Sequence, residues 1–280
     1  MECFKETNGL RLHYLDHQGA GPTLLLMPGL TANAHSFDGL VAKGLGEAVR
    51  LLAVDLRGRG LSDKPASGYT LEDHATDIIG LLDQLGLEQV LLGGHSYGGL
   101  LSMYMAHRYP ERVEKLVVID AAAVMHPDTR KLIQPAIDRL GKTVPSWETY
   151  LAAVKIMPFF YQWWDAAIES YFRADVETLA NGAVIARSRP EAIVEAVEHV
   201  LAEEWQVKLP GIGQPTLLLN GTGAYGLPGA PPLLPREQAE ATVAALPQGR
   251  YAEVPGNHIT MLYGEGARQI VKEIVKFVAN

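Results

Sequence analysis

Residues 93–99 read Gly-Gly-His-Ser-Tyr-Gly-Gly, which frames Ser96 between Gly94 and Gly98 in a GxSxG pattern. An apolar run, Val90–Gly93, precedes it, and a helical pattern of Leu100, Leu101, Tyr104, Met105 and Arg108 follows. A serine at such a strand-to-helix turn is a nucleophile elbow. The small neighbours permit a tight, strained turn that lifts the hydroxyl above the sheet. The helix that starts there directs its positive dipole end at a developing oxyanion. A second glycine cluster, Gly-Thr-Gly-Ala-Tyr-Gly at 221–226, has the GxGxxG spacing of a dinucleotide fingerprint. That chemistry needs a helix directly after the glycines. Leu227-Pro228-Gly229-Ala230-Pro231-Pro232 follows instead, and its prolines forbid one. The cluster therefore reads as a glycine turn. It is also empty of charge, since no charged residue lies between Lys208 and Arg236.

The elements that position these residues follow from periodicity. Strands are expected at Leu10–Tyr14, Thr23–Met27, Leu51–Asp55, Val90–Gly93, Leu116–Asp120, Thr216–Asn220 and Tyr251–Val254. Several are continuously apolar, as strands covered on both faces are. After Tyr69, Thr70 and Asp73 form a capping box for a helix carrying Leu71, Ala75, Ile78, Leu82 and Leu85, which Gly86 ends. Strand–helix alternation predicts a mostly parallel sheet with helices on both sides. Between roughly Met125 and Lys208 the alternation stops. That stretch reads as helices without a convincing strand, and it holds Trp147, Trp163, Trp164 and Trp205 with the cluster Phe159-Phe160-Tyr161. It reads as a helical insertion on the carboxyl edge of the sheet.

The 280 residues suit one large α/β domain with room for an inserted subdomain. A net charge of −8 disfavours nucleic acid as a partner, since phosphate binding needs a basic face. The single cysteine, Cys3, rules out an intrachain disulfide and cysteine-based zinc sites. No apolar leader or membrane-spanning run is visible, so the expected setting is the cytoplasm, away from membranes.

With these residues in view, the chain resembles the α/β-hydrolase superfamily with a helical cap. LLLMPGLTANAHSF is similar to the oxyanion loop, AVDLRGRGLSD to the loop after the fourth strand, GGHSYGG to the elbow and VPGNH to the histidine loop. The resemblance implies a core of residues 1–124 and 209–280 and a cap of 125–208. It implies Ser96 as nucleophile and His258, among nine histidines, as general base. It implies the backbone N–H of Tyr97 as one oxyanion donor. The other maps to Leu30, after Pro28-Gly29, with Thr31 as the neighbouring alternative. In most relatives the acid follows the penultimate strand, where this chain has the uncharged Gly221–Gly226 loop. The other family position is the end of the strand after the elbow helix, which is Asp120. Glu237 is the first carboxylate downstream of the loop and the alternative. Asp55 is expected to fix its own loop through backbone hydrogen bonds.

The implied activity is cofactor-free, metal-free hydrolysis of a carboxylic ester or lactone, with water as second substrate. An apolar or aromatic substrate portion would meet His95, His126, Trp147, Phe160 and Trp164, although most cap aromatics pack cap on core. A C–C or amide hydrolase would carry the same triad, and a receptor-like ligand binder is the reading from another class. Relatives that cleave haloalkanes or epoxides use an aspartate nucleophile where this chain has Ser96.

Overall fold

Continuous apolar runs become strands buried on both faces. A computed structural model describes residues 1–123 and 128–280. Its strands are β1 (Glu2–Thr7), β2 (Leu10–His17), β3 (Thr23–Met27), β4 (Arg50–Val54), β5 (Val90–His95), β6 (Val113–Ile119), β7 (Thr143–Val144), β8 (Val176–Thr178), β9 (Val184–Ala186), β10 (Thr216–Gly221) and β11 (Gly249–Val254). Its helices are α1 (Asp38–Ala42), α2 (Leu45–Ala48), α3 (Leu71–Gln84), α4 (Tyr97–Arg108), α5 (Thr129–Asp138), α6 (Trp147–Lys155), α7 (Ala166–Asp175), α8 (Pro190–Leu201), α9 (Trp205–Lys208), α10 (Arg236–Ala244) and α11 (Gly264–Val278).

Eight strands form one sheet in the order β1-β2-β4-β3-β5-β6-β10-β11. From β4 onward the pairings are parallel, and β1 and β2 join antiparallel. The strand period of two divides the leucines between the two faces. Leu25, Leu52, Leu92, Leu116 and Leu218 share a core with α3, α4 and α10. Leu24, Leu26, Leu51, Leu91, Leu217 and Leu219 share another with α1, α2 and α11. This double covering is why the strands carry no polar alternation. The expected capping box of α3 is formed, with Thr70 and Asp73 bonding reciprocally.

The expected strands all form, with ends shifted by a few residues. Two features were not anticipated. The first is β1, a half-exposed edge strand. The second corrects the all-helical reading of the insertion: β7, β9 and β8 make a three-stranded antiparallel sheet within it. Among the described residues, no helix is long and apolar enough to cross a membrane.

Candidate active site

The sharpest turn of the chain lies where β5 enters α4. Ser96 has φ +54° and ψ −119°, a left-handed conformation that costs a non-glycine residue on the order of 1–3 kcal/mol. The turn survives because its neighbours have no side chains. A Cβ on Gly98 would overlap the Met27 carbonyl, and one on Gly94 would overlap the Gly98 peptide. The Ser96 amide donates to the Ile119 carbonyl at 2.9 Å, and the Ser96 carbonyl accepts from Gly99 and Leu100. Ser96 is thereby fixed at the N-terminus of α4 and remains partly exposed.

Asp120 leaves the end of β6, also with positive φ, +48°. It is 3% exposed. Oδ1 accepts from the Gly221 amide at 2.7 Å and from Asn220 Nδ2 at 3.0 Å. Oδ2 lies 2.6 Å from His258 Nδ1. A carboxylate accepts, so Nδ1 carries the proton and Nε2 is left free to accept one. Glu237, the alternative acid, is exposed on α10.

The uncharged glycine loop has a clear structural part. Its strand supplies the Gly221 amide that holds Asp120. Its next residues clasp the histidine loop: Thr222 N–H donates to Val254 O and Gly223 N–H to Gly256 O, at 3.1 and 2.8 Å. A side chain on Gly223 would run into the Gly256–Asn257 backbone. No helix follows until α10, so the backbone lacks the amide cradle that a pyrophosphate needs.

His258 is held from both ends. Asn257 Oδ1 accepts from the amides of Ile259 and Thr260, each at 3.0 Å. His95 Nε2 donates to the His258 carbonyl at 2.7 Å, and the two rings lie 4.5 Å apart. Burial, and then the neighbouring His258, push the His95 imidazole down to about 3, so it stays neutral. Asp55 holds its loop as expected, accepting from the amides of Ala34 and Leu61, and it also contacts His13 at 2.7 Å. Its pKa is lowered: burial alone would raise it, but the His13 contact and the two amides outweigh that.

Leu30 and Thr31 cross the mouth of the elbow with both carbonyls occupied, Leu30 O by Arg59 Nε and Thr31 O by Ser188 Oγ, each at 3.0 Å. Among the described residues nothing accepts from their amides. The Tyr97 amide, in the first turn of α4, is an orphan helix donor.

Residues of the elbow line two cavities. Ser96, Asp120 and His258 all line a small one of about 100 Å³. His95 and Thr31 line a larger one of about 400 Å³, walled by Phe159, Tyr171, Phe172 and Tyr225 among others. Among the described residues of its lining, Arg139 is the only permanent cation. Asp175 neutralises it, with Oδ2 2.6 Å from Arg139 Nη1, and also accepts from Tyr150 at 2.7 Å.

The expected substrate residues divide. His95 lines the larger cavity. Phe160 does not: it is 1% exposed and packs among Phe159, Trp163, Trp164 and Phe172. Trp147 stacks on Tyr150 beneath the Arg173 guanidinium, and Trp164 stacks on Phe172 beneath the Lys155 ammonium; neither lines the cavity. His126 lies outside the described residues. The cavity's actual aromatics include Tyr225, which meets His258 edge-on at 6.0 Å and stacks on Phe159 at 5.3 Å. Tyr225 sits inside the glycine motif, whose spacing says nothing about where its side chain points. Arg139 and Asp175 belong to no motif.

A family model described as the alpha/beta hydrolase fold matches residues 22–265. The chain is 35% identical over 138 residues to 2-(acetamidomethylene)succinate hydrolase of Mesorhizobium japonicum, covering 48% of this chain and 49% of that protein. It is 35% identical over 133 residues to cis-3-alkyl-4-alkyloxetan-2-one decarboxylase of Shewanella oneidensis, covering 46% of this chain and 41% of that protein. It thus spans about half the length of these curated relatives. The crystal structure of E-2-(acetamidomethylene)succinate hydrolase superposes on 100% of this chain and 99% of that one, with a TM-score of 0.86 at 22% identity, a likeness of fold.

Proposed function

Because the chain belongs to the α/β-hydrolase family, we propose that it cleaves a carboxylic ester or lactone through an acyl-enzyme on Ser96. The observation that carries this reading is the 2.6 Å contact between His258 Nδ1 and Asp120 Oδ2, in a cavity that Ser96 also lines. Asp120 fixes the tautomer in which His258 Nε2 takes the Ser96 proton. Ser96 Oγ then bonds to the substrate carbonyl carbon, and the oxyanion meets the amides of Tyr97 and Leu30. The C–O bond to the leaving group breaks as His258 returns the proton to it. Water, deprotonated by the same imidazole, then releases the acid and regenerates Ser96. In this reading residues 1–124 and 209–280 are the catalytic core, and residues 125–208 are the cap over it.

The lining of the larger cavity supports an uncharged apolar or aromatic substrate portion. Its one guanidinium among the described residues is already matched by Asp175, which leaves no unpaired cation among them for a dicarboxylate. The relative named for 2-(acetamidomethylene)succinate keeps a second reading alive, hydrolysis of an amide or C–C bond by the same residues. A p-nitrophenyl ester separates these from a receptor-like role. Burst release of nitrophenol, abolished in Ser96→Ala, is expected. Ligand binding without turnover would support the receptor. Slow ester cleavage beside fast amide or C–C cleavage would support the second reading.

A further inference from the structure

The two arginines of the Arg57-Gly58-Arg59 run meet opposite fates. Arg57 forms a bidentate pair with Asp77, both contacts 2.6 Å. Arg59 is 0% exposed and has no carboxylate partner among the described residues. Its acceptors are neutral: Leu30 O from Nε at 3.0 Å, Arg57 O from Nη1 at 2.7 Å, and His74 Nε2 at 2.9 Å. His74 Nδ1 donates to Thr70 O at 2.7 Å, so its Nε2 is the unprotonated nitrogen and accepts from Arg59. Arg59 Nη2 is buried with no hydrogen-bond partner among the described residues. The guanidinium carbon lies 5.6 Å from the centre of the Tyr97 ring. Burial lowers the guanidinium to about 10, so it is cationic at neutral pH.

A buried charge without a counter-charge is costly to fold around. This one touches the two residues read above as oxyanion donors: the carbonyl of Leu30 and the ring of Tyr97. We propose that Arg59 is a positioning residue of the oxyanion hole. Its fork fixes the Leu30 backbone and backs the Tyr97 ring, and its unmatched charge favours the anion that forms between their amides. The proposal rests on the reading of Leu30 and Tyr97 as donors. It goes beyond loop stapling because the benefit arises only when the carbonyl oxygen becomes charged. Lysine keeps the charge but loses the fork.

The test uses Arg59→Lys and Arg59→Met in the full chain, each assayed for p-nitrophenyl ester turnover, boronate binding and thermal unfolding. A phenylboronic acid becomes a tetrahedral anion on Ser96. An uncharged N-aryl amide reports ground-state binding. Arg59→Lys should lose roughly 10- to 100-fold in kcat, less than the loss of a whole donor, with KM nearly unchanged. Boronate affinity should fall by the same factor while amide affinity holds, and Arg59→Met should fall further. Unchanged kcat and boronate affinity in Arg59→Lys would overturn the proposal. So would equal losses for boronate and amide, or a failure of Arg59→Lys to fold, because each marks a purely structural arginine. A wild-type protein that takes neither ester nor boronate sinks the Ser96 reading itself.

Discussion

His95 holds the backbone of His258: its Nε2 donates to the His258 carbonyl at 2.7 Å, from a buried position one residue before Ser96. The turn that presents the hydroxyl therefore also grips the loop that presents the imidazole. His95→Gln keeps an amide donor at similar reach, whereas His95→Ala leaves the carbonyl without it. Turnover should fall about tenfold or more in His95→Ala, on the scale of one lost hydrogen bond to a positioned group, and largely recover in His95→Gln. Steady-state kinetics on the two variants decides this.

The same residue sets a pH dependence of stability. Folded His95 resists protonation until about pH 3, whereas an unfolded histidine takes a proton near 6.5. Between those values the unfolded state binds more protons, so stability falls as pH drops through that window. The share is on the order of a few kcal/mol when fully expressed. His74, lowered well below its ordinary value by burial and by the Arg59 charge, acts in the same direction. Urea midpoints from pH 7 to pH 4 should decline in the wild-type protein and decline less steeply in His95→Gln. Parallel curves would refute this.

Asp120→Asn should reduce kcat by about three to four orders of magnitude, because the amide no longer stabilises the imidazolium or its tautomer. Glu237→Gln should leave kcat unchanged, since Glu237 is exposed on α10. The reverse pattern would transfer the acid's role to Glu237.

How far the site was legible follows from what each residue does locally. Ser96 announces itself because a strained turn needs glycines at fixed spacing. Asp120 follows from the resemblance, which places the acid at this strand end where the usual acid loop is uncharged. The orientation of aromatics was not legible. Phe159 and Phe160 are neighbours, yet one lines the cavity and the other is core, a matter of direction in a short 3-10 turn. Strands of two or three residues, such as β7 and β8, are too short for any periodicity to show. Arg139 carries no motif, and the Asp55–Asp63 loop that contains Arg59 does not reveal its role, since the importance of both comes from what lies beside them in space.

Asp175→Asn tests the charge balance of the larger cavity. Removing one partner of a buried pair typically costs about 3–5 kcal/mol. Here it also leaves Arg139 as an unmatched cation on the cavity wall. Melting temperature should drop, and kcat/KM for an ester bearing a distal carboxylate should rise relative to its neutral isostere. A lower melting temperature with unchanged preference would mean that the pair is structural only.

Tyr225 and Phe159, stacked at 5.3 Å, both line the larger cavity, and Phe159 also lines a neighbouring surface groove. Tyr225→Ala should raise kcat/KM for bulky aryl esters relative to acetate esters by several-fold, while a small ester keeps its kcat. Equal effects on both substrates would show that Tyr225 acts through His258 rather than as a wall.

With Asp120, just past β6, read as the acid, the stretch from Thr222 to Pro235 is left without a carboxylate. Its opening residues are tied down by the clasp on the histidine loop, and Ala224 and Tyr225 still touch that loop through Asn257 and His258, but among the described residues no hydrogen bond joins Gly226–Pro232 to Asp120 or His258. Diversity can therefore accumulate at the rim of the cavity without disturbing proton transfer. A library that randomises 226–232 should yield altered substrate preference more often than loss of activity, the reverse of what the same library would do to a relative whose acid sits there.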